Sequence, residues 1–370
     1  MGAGIYVHIP FCKSKCRYCD FASFPDKIGF AESYMACVYR EAAMRSHELK
    51  NYTFDTLYIG GGTPSVIDEN YIAMLAASVK KNFNLSPNAE ITIEINPGTV
   101  SAKKIEAYLK CGINRFSVGL QTAVDSQLAE LGRIHSLKEF SLCAKLLKGK
   151  NFSVDVMIGL KDQTVEDIYK TIETAAYSGA KHISMYALTP EDGTPIYTDY
   201  LNGELPDGDE VAKMYSAGAA KLKELGFARY EVSNFCKKGF ESRHNLNYWR
   251  RGEYIGLGVA ASSCINDVRF TNTYDLDEYF KCILSSNFAV KSSEKIDEDA
   301  REEEYIMLAL RTARGINLEE YAVIFKQDFL KKYSEQLEKM REYIVVNGDF
   351  LRIKDEYLFV QNSIIIEFLR

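Results

Sequence analysis

Three cysteines fall within eight residues near the start of the chain, in the run Cys12-Lys-Ser-Lys-Cys16-Arg-Tyr-Cys19. Thiolates this close together suit a soft metal or an iron–sulfur cluster. A structural zinc site takes four ligands, and its cysteines usually come in pairs. A ferredoxin-type cluster also takes a fourth cysteine, yet position 21, where one could have followed, is Phe21. Three ligands on a four-iron cluster leave one iron open to a substrate or cofactor. The bland alternatives are a zinc site completed by a remote histidine and chance clustering.

Further along the chain, polar or glycine-rich signals follow successive apolar runs. Gly60-Gly61-Gly62-Thr63-Pro64 is a run whose backbone lets a ligand approach closely; alone, a glycine triplet is usually just a tight turn. Glu94, in Ile-Glu-Ile-Asn-Pro-Gly, can accept hydrogen bonds from both hydroxyls of a ribose. Gln121 ends Ser117-Val-Gly119-Leu-Gln121, Arg133 lies in Leu-Gly-Arg-Ile-His, and Asp155 sits within the next run. Singly, each reads equally well as a surface polar residue or a salt-bridge partner. Together they recur at the same end of successive units. His8 and His135 read as structural hydrogen-bonders.

The elements that must position these groups alternate. Strand candidates are Ile5–Ile9, Thr56–Ile59, Glu90–Ile95, Arg115–Gly119, Ser153–Ile158 and His182–Leu188. Helix candidates lie around 30–48, 68–82, 101–111, 125–131, 138–148 and 165–178, several with polar N-caps such as Asp68 and Ser101. Six strand–helix units imply an α/β fold with a parallel sheet. Without Gly-x-Gly-x-x-Gly after the first strand, a partial (β/α)6 barrel is favoured over a dinucleotide fold. The cysteine loop directly follows strand one, on the face where barrel active sites collect. Three regions are expected: a barrel with the cluster and cofactor cradle over 1–235, a connecting region over 236–291, and a small helical, winged-helix-like unit over 292–370. In the last, Asp297–Arg314 and Leu318–Val345 read as helices, and Asn347-Gly348 as a turn into the run Phe350–Val360.

Composition limits the function. The 370 residues carry a net charge of -6, which argues against a nucleic-acid binder. No apolar run reaches the ~18 residues of a membrane span, and the N-terminus lacks the pattern of a signal peptide. Nine cysteines without a secretion signal point to a reduced, cytoplasmic setting.

The Cys-x-x-x-Cys-x-x-Cys loop resembles the radical-SAM superfamily. The longer string Tyr6-Val-His-Ile-Pro-Phe-Cys12 resembles the branch that holds oxygen-independent coproporphyrinogen III oxidase and the HemW heme chaperones, and the likeness spans nearly the whole chain. The resemblance implies a [4Fe-4S] cluster on Cys12, Cys16 and Cys19. It implies S-adenosylmethionine contacts at Tyr6, Tyr18, Gly61, Gly62, Thr63, Glu94, Gln121, Arg133 and Asp155, and one-electron cleavage of the cofactor to a 5′-deoxyadenosyl radical. The string His244-Asn-Leu-Asn-Tyr248-Trp249 holds the only tryptophan and looks like the chaperone signature associated with heme. A neutral imidazole can ligate heme iron and aromatic faces can stack on a porphyrin, so the string is expected near the barrel mouth; a histidine hydrogen-bonded in an aromatic core is the competing reading. Phe21 and the short stretch before strand one also favour a chaperone over the oxidase. Heme is then cargo, with an acceptor protein and an electron donor as partners. Two departures, Gly-Leu-Lys161 where Gly-Leu-Pro is common and Ser262 where relatives often carry a nearby histidine, weaken substrate contacts in those loops only.

Overall fold

The computed structural model describes residues 2–369. Six parallel strands carry the architecture: β1 (Ala3–Ile9), β2 (Thr53–Gly61), β3 (Asn84–Ile95), β4 (Arg115–Gln121), β5 (Phe152–Ile158) and β6 (His182–Ala187), paired in chain order. Helices α1 (Ala31–Ser46), α2 (Glu69–Asn82), α3 (Ala102–Cys111), α4 (Asp125–Glu130), α5 (Leu137–Leu146) and α6 (Val165–Tyr177) form the crossovers. Strands such as β1 and β5 are covered on both faces, so nearly every residue is buried and no simple alternation shows. Helix starts follow their polar caps. Asp68 and Ser101 accept backbone N–H bonds, while Ser136 with Glu139 and Thr164 with Asp167 form capping boxes. Helix α6 then buries Ile168, Thr171, Ile172 and Ala175, one face at helical spacing. The chain continues through α7 (Pro195–Leu201), α8 (Gly208–Glu224), β7 (Ala228–Arg229) and β8 (Asn234–Cys236), which closes antiparallel onto β6.

Residues 236–291 are more than a connection. After α9 (Arg243–Trp249), strand β9 (Tyr254–Leu257) pairs parallel to β1, and β10 (Ser262–Ile265), β11 (Val268–Asn272) and β12 (Val290–Lys295) extend the sheet antiparallel, with α10 (Leu276–Leu284) between the last two. The sheet has twelve strands, with β12 and β7 at its two edges. These strands are short, which hides their period. They dock through buried polar anchors. Glu41 of α1 accepts from Gly258 N–H, Asn272 Nδ2 and Tyr279 O–H, while Tyr34 O–H donates to the His8 carbonyl.

The rest of the chain has its own apolar core, from Tyr305 to Phe368. It contains α11 (Glu298–Leu310), β13 (Ile316–Asn317), α12 (Leu318–Phe325), α13 (Phe329–Lys332), α14 (Ser334–Lys339), β14 (Ile344–Asn347), β15 (Phe350–Ile353) and α15 (Gln361–Ile365). The expected long helix over Leu318–Val345 is three short helices and a strand. Lys326 adopts a left-handed conformation that ends α12, and Asp328 caps α13 afresh. The Asn347-Gly348 turn therefore joins two strands rather than a helix and a strand, and the run Phe350–Val360 leaves the sheet after Ile353.

Candidate cluster and cofactor site

All three cysteines line one cavity of about 420 Å³ beyond the C-terminal ends of the parallel strands. Tyr18, Gly61, Gly62, Thr63, Glu94, Gln121, Arg133 and Asp155 line it too. Cys12 is buried, Cys16 and Cys19 are half-buried, and none is in a disulfide. Gly61 has φ +112, and a Cβ there would lie 2.5 Å from the His8 ring. A Cβ on Gly62 would press on the Phe11 carbonyl and Cys12 Sγ, so only glycine leaves the loop and β2 this close. Thr63 Oγ1 lies 3.5 Å from Cys12 Sγ. Among the described residues no three His, Cys, Asp or Glu side chains converge on a single-ion site. Three thiols lining one cavity are soft donors of the kind an iron–sulfur cluster takes.

Charge in the cavity is arranged with a purpose. Arg133 donates from Nη1 to Cys16 Sγ (3.4 Å) and to the Tyr18 hydroxyl (3.3 Å), and from Nη2 to the Gly119 carbonyl (3.0 Å). Its Nε has no partner. A half-buried guanidinium beside the thiols would offset the negative charge of a thiolate-bound group. Glu94 accepts from Tyr58 O–H (2.8 Å) and Gly61 N–H (3.1 Å), and burial pushes its carboxyl up to about 7. Asp155, held by the Ser117 hydroxyl at 3.3 Å, is also raised by burial. Gln121 ends β4 with φ 71, an uncommon conformation for a side-chain-bearing residue and one that clusters at ligand sites. Tyr6 does not line this cavity. Its hydroxyl lies 3.0 Å from His8 Nδ1, and it faces an adjoining cavity of about 830 Å³.

That larger cavity shares Phe21, Gly61 and Glu94 with the first and runs past Tyr248 and Tyr254 to Met307 and Leu308 of α11. The heme-associated string is not gathered there. His244 is 1% exposed. Its Nδ1 lies 2.8 Å from Thr56 Oγ1 and its Nε2 lies 2.9 Å from the Tyr248 hydroxyl, with Tyr58 stacked on the ring. Its backbone N–H donates to Glu90. Thr56 precedes Gly61 by five residues, about 16 Å of strand, so the imidazole sits toward the closed end of the barrel and not at its mouth. Trp249 lines a third cavity of about 490 Å³, with Tyr230, Tyr305 and Arg314. Helical spacing accounts for this separation: positions 244 and 248 share a face, whereas 249 is turned away.

The chain is 35% identical over 303 residues to the heme chaperone HemW of Buchnera aphidicola, covering 79% of this chain and 80% of that protein. It is 32% identical over 381 residues to the heme chaperone HemW of Haemophilus influenzae, covering 99% and 97%. The chain belongs to the HemW family of the radical SAM superfamily. The radical SAM superfamily model itself matches residues 6–175, from β1 into α6. The fold agrees with that of coproporphyrinogen III oxidase HemN from Escherichia coli, with a TM-score of 0.87 at 18% identity over 99% of this chain and 90% of that one. Radical SAM membership implies a [4Fe-4S] cluster and S-adenosylmethionine. No helix among the described residues is long and apolar enough to cross a membrane.

Proposed function

We propose that this protein is a heme chaperone, binding heme and passing it to an acceptor protein from a barrel that holds a [4Fe-4S] cluster and S-adenosylmethionine. Cys12, Cys16 and Cys19 hold the cluster. Gly61, Gly62, Thr63, Glu94, Gln121, Arg133 and Asp155 hold S-adenosylmethionine, and Tyr18 supports Arg133. When bound, the cluster supplies one-electron chemistry to the cofactor. The observation that carries the heme reading is the larger cavity. It adjoins the cradle, has room for a macrocycle, and offers the rings of Tyr248 and Tyr254 beside Met307 and Leu308. Tyr248, rather than His244, presents its side chain to that space.

The test is an anaerobic heme titration of the reconstituted protein with S-adenosylmethionine present. Near-stoichiometric binding with a Soret band is expected, without oxidative decarboxylation of coproporphyrinogen. Absence of saturable heme binding would sink the chaperone reading, and decarboxylation would replace it with an oxidase.

Glu94 makes cofactor binding depend on pH. A carboxylate accepts from both ribose hydroxyls, whereas the protonated acid must donate one bond itself. With its carboxyl raised to about 7 by burial and by the neighbouring Asp155, S-adenosylmethionine affinity should climb as pH rises toward 7, by up to about tenfold per pH unit, and level off above. Glu94→Gln should flatten that climb and weaken binding by about 1–3 kcal/mol at high pH. Calorimetric titration from mildly acidic to mildly alkaline buffer checks this; the same climb in the variant would place the ribose elsewhere.

A further inference from the structure

One end of the larger cavity is lined by two arginines. Arg251, in the turn before β9, and Arg269, on β11, both line it, and Glu304 of α11 lies between them. Glu304 Oε2 accepts from Arg251 Nε at 2.8 Å, and its Oε1 accepts from Arg269 Nη2 at 2.5 Å. A single carboxylate thus bridges two guanidinium groups. Arg251 Nη1 also pairs with Asp267 (2.8 Å) and Arg269 Nη1 with Glu294 (2.8 Å). Arg251 Nη2 is buried and has no hydrogen-bond partner. Buried guanidinium donors are normally satisfied, and this one, at the cavity wall, is open to a further acceptor.

We propose that Arg251 and Arg269 recognise the carboxylate side chains of the tetrapyrrole cargo, which take the place of Glu304 between them. Guanidinium forks match carboxylates geometrically, and the bound Glu304 shows that this pair accepts one. The apolar body of the cargo then lies between the tyrosines and Met307 and Leu308, with its acidic edge at the arginines. Because Glu304 is on α11, cargo entry also frees one of the links that tie α11 to the sheet. This inference rests on the heme-cargo reading and adds the residues that select for acidic side chains.

The experiment compares heme with its dimethyl ester, on full-length reconstituted wild type, Arg251→Met and Glu304→Gln. Wild type should prefer the acid over the ester. Arg251→Met should lower heme affinity by about tenfold or more and leave ester binding unchanged. Glu304→Gln, which removes the competitor and keeps the side chain's shape, should raise heme affinity. A merely structural ion pair predicts that both variants move in the same direction and affect both ligands alike, so opposite signs support the assignment. Equal binding of acid and ester by wild type, or matched losses in the two variants, overturns it while the cargo reading stands. Failure of wild type to bind either ligand overturns both.

Discussion

Anaerobically prepared Cys16→Ala protein is expected to hold no [4Fe-4S] cluster, where the wild type holds about four irons and four sulfides per chain. On the proposed assignment each of the three cysteines is a ligand that no neighbour can replace. Among the described residues the cavity offers no fourth thiol, since Phe21 stands where one could have followed Cys19. The other cysteines are placed as apolar filling. Cys143 is buried under α5, where burial pushes its thiol up to about 12, and Cys111 points back to the Tyr108 carbonyl at the end of α3. Cys143→Ala should therefore keep the full iron content at a modest cost in stability, and Cys12→Ala and Cys19→Ala should behave like Cys16→Ala. Iron and sulfide analysis, with the visible absorption of the cluster, reads the outcome directly. A full complement in Cys16→Ala would sink the assignment of this loop. Because Arg133 contacts Cys16 Sγ, its loss should loosen the cluster without abolishing it, which separates ligand from charge partner.

Much of this site was legible from type and spacing, for a physical reason. In a parallel barrel every crossover returns the chain to the same end, so polar residues at successive strand ends meet by construction. The cysteine loop, Gly61, Glu94 and Gln121 are four such ends, and with Asp155 from within β5 they line one cavity. The six parallel strands and their helices were legible for a related reason: long units with capped helices repeat strongly. Where elements are short, the period carries little information. Strands β9 to β12 have at most six residues each, and their attachment depends on the buried hydrogen bonds of Glu41, which no sequence window records. The long helix expected over Leu318–Val345 broke at Lys326, whose left-handed backbone has no strong local signal. The arginines around Glu304 gave no signal either, because their meeting is set by the docking of α11. Tyr6 carries the family string yet faces the larger cavity that adjoins the cradle.

His244 is where motif and geometry part, and His244→Ala is expected to cost stability and to leave the heme spectrum as in the wild type. The ring is buried, stacked on Tyr58, and bonded through both nitrogens to Thr56 and Tyr248. Removing it leaves a cavity and strands two hydroxyls, a loss of about 2–5 kcal/mol. An iron ligand needs a free lone pair facing the metal, and neither nitrogen has one here. The acid limb of stability supplies a second signature. Burial lowers the His244 imidazole from its ordinary value to about 3, so the folded protein holds it neutral while the unfolded chain takes a proton below about 6.5. That contribution is complete above about 6.5 and is lost as pH falls toward 3. His135, lowered to about 4 by burial, adds to the same limb and stays in the variant. Wild type should therefore lose stability on acidification more steeply than His244→Ala. Thermal unfolding across this range, alongside the Soret spectrum of the same two proteins, decides the matter: an altered spectrum with an unchanged acid limb would make His244 a ligand after all.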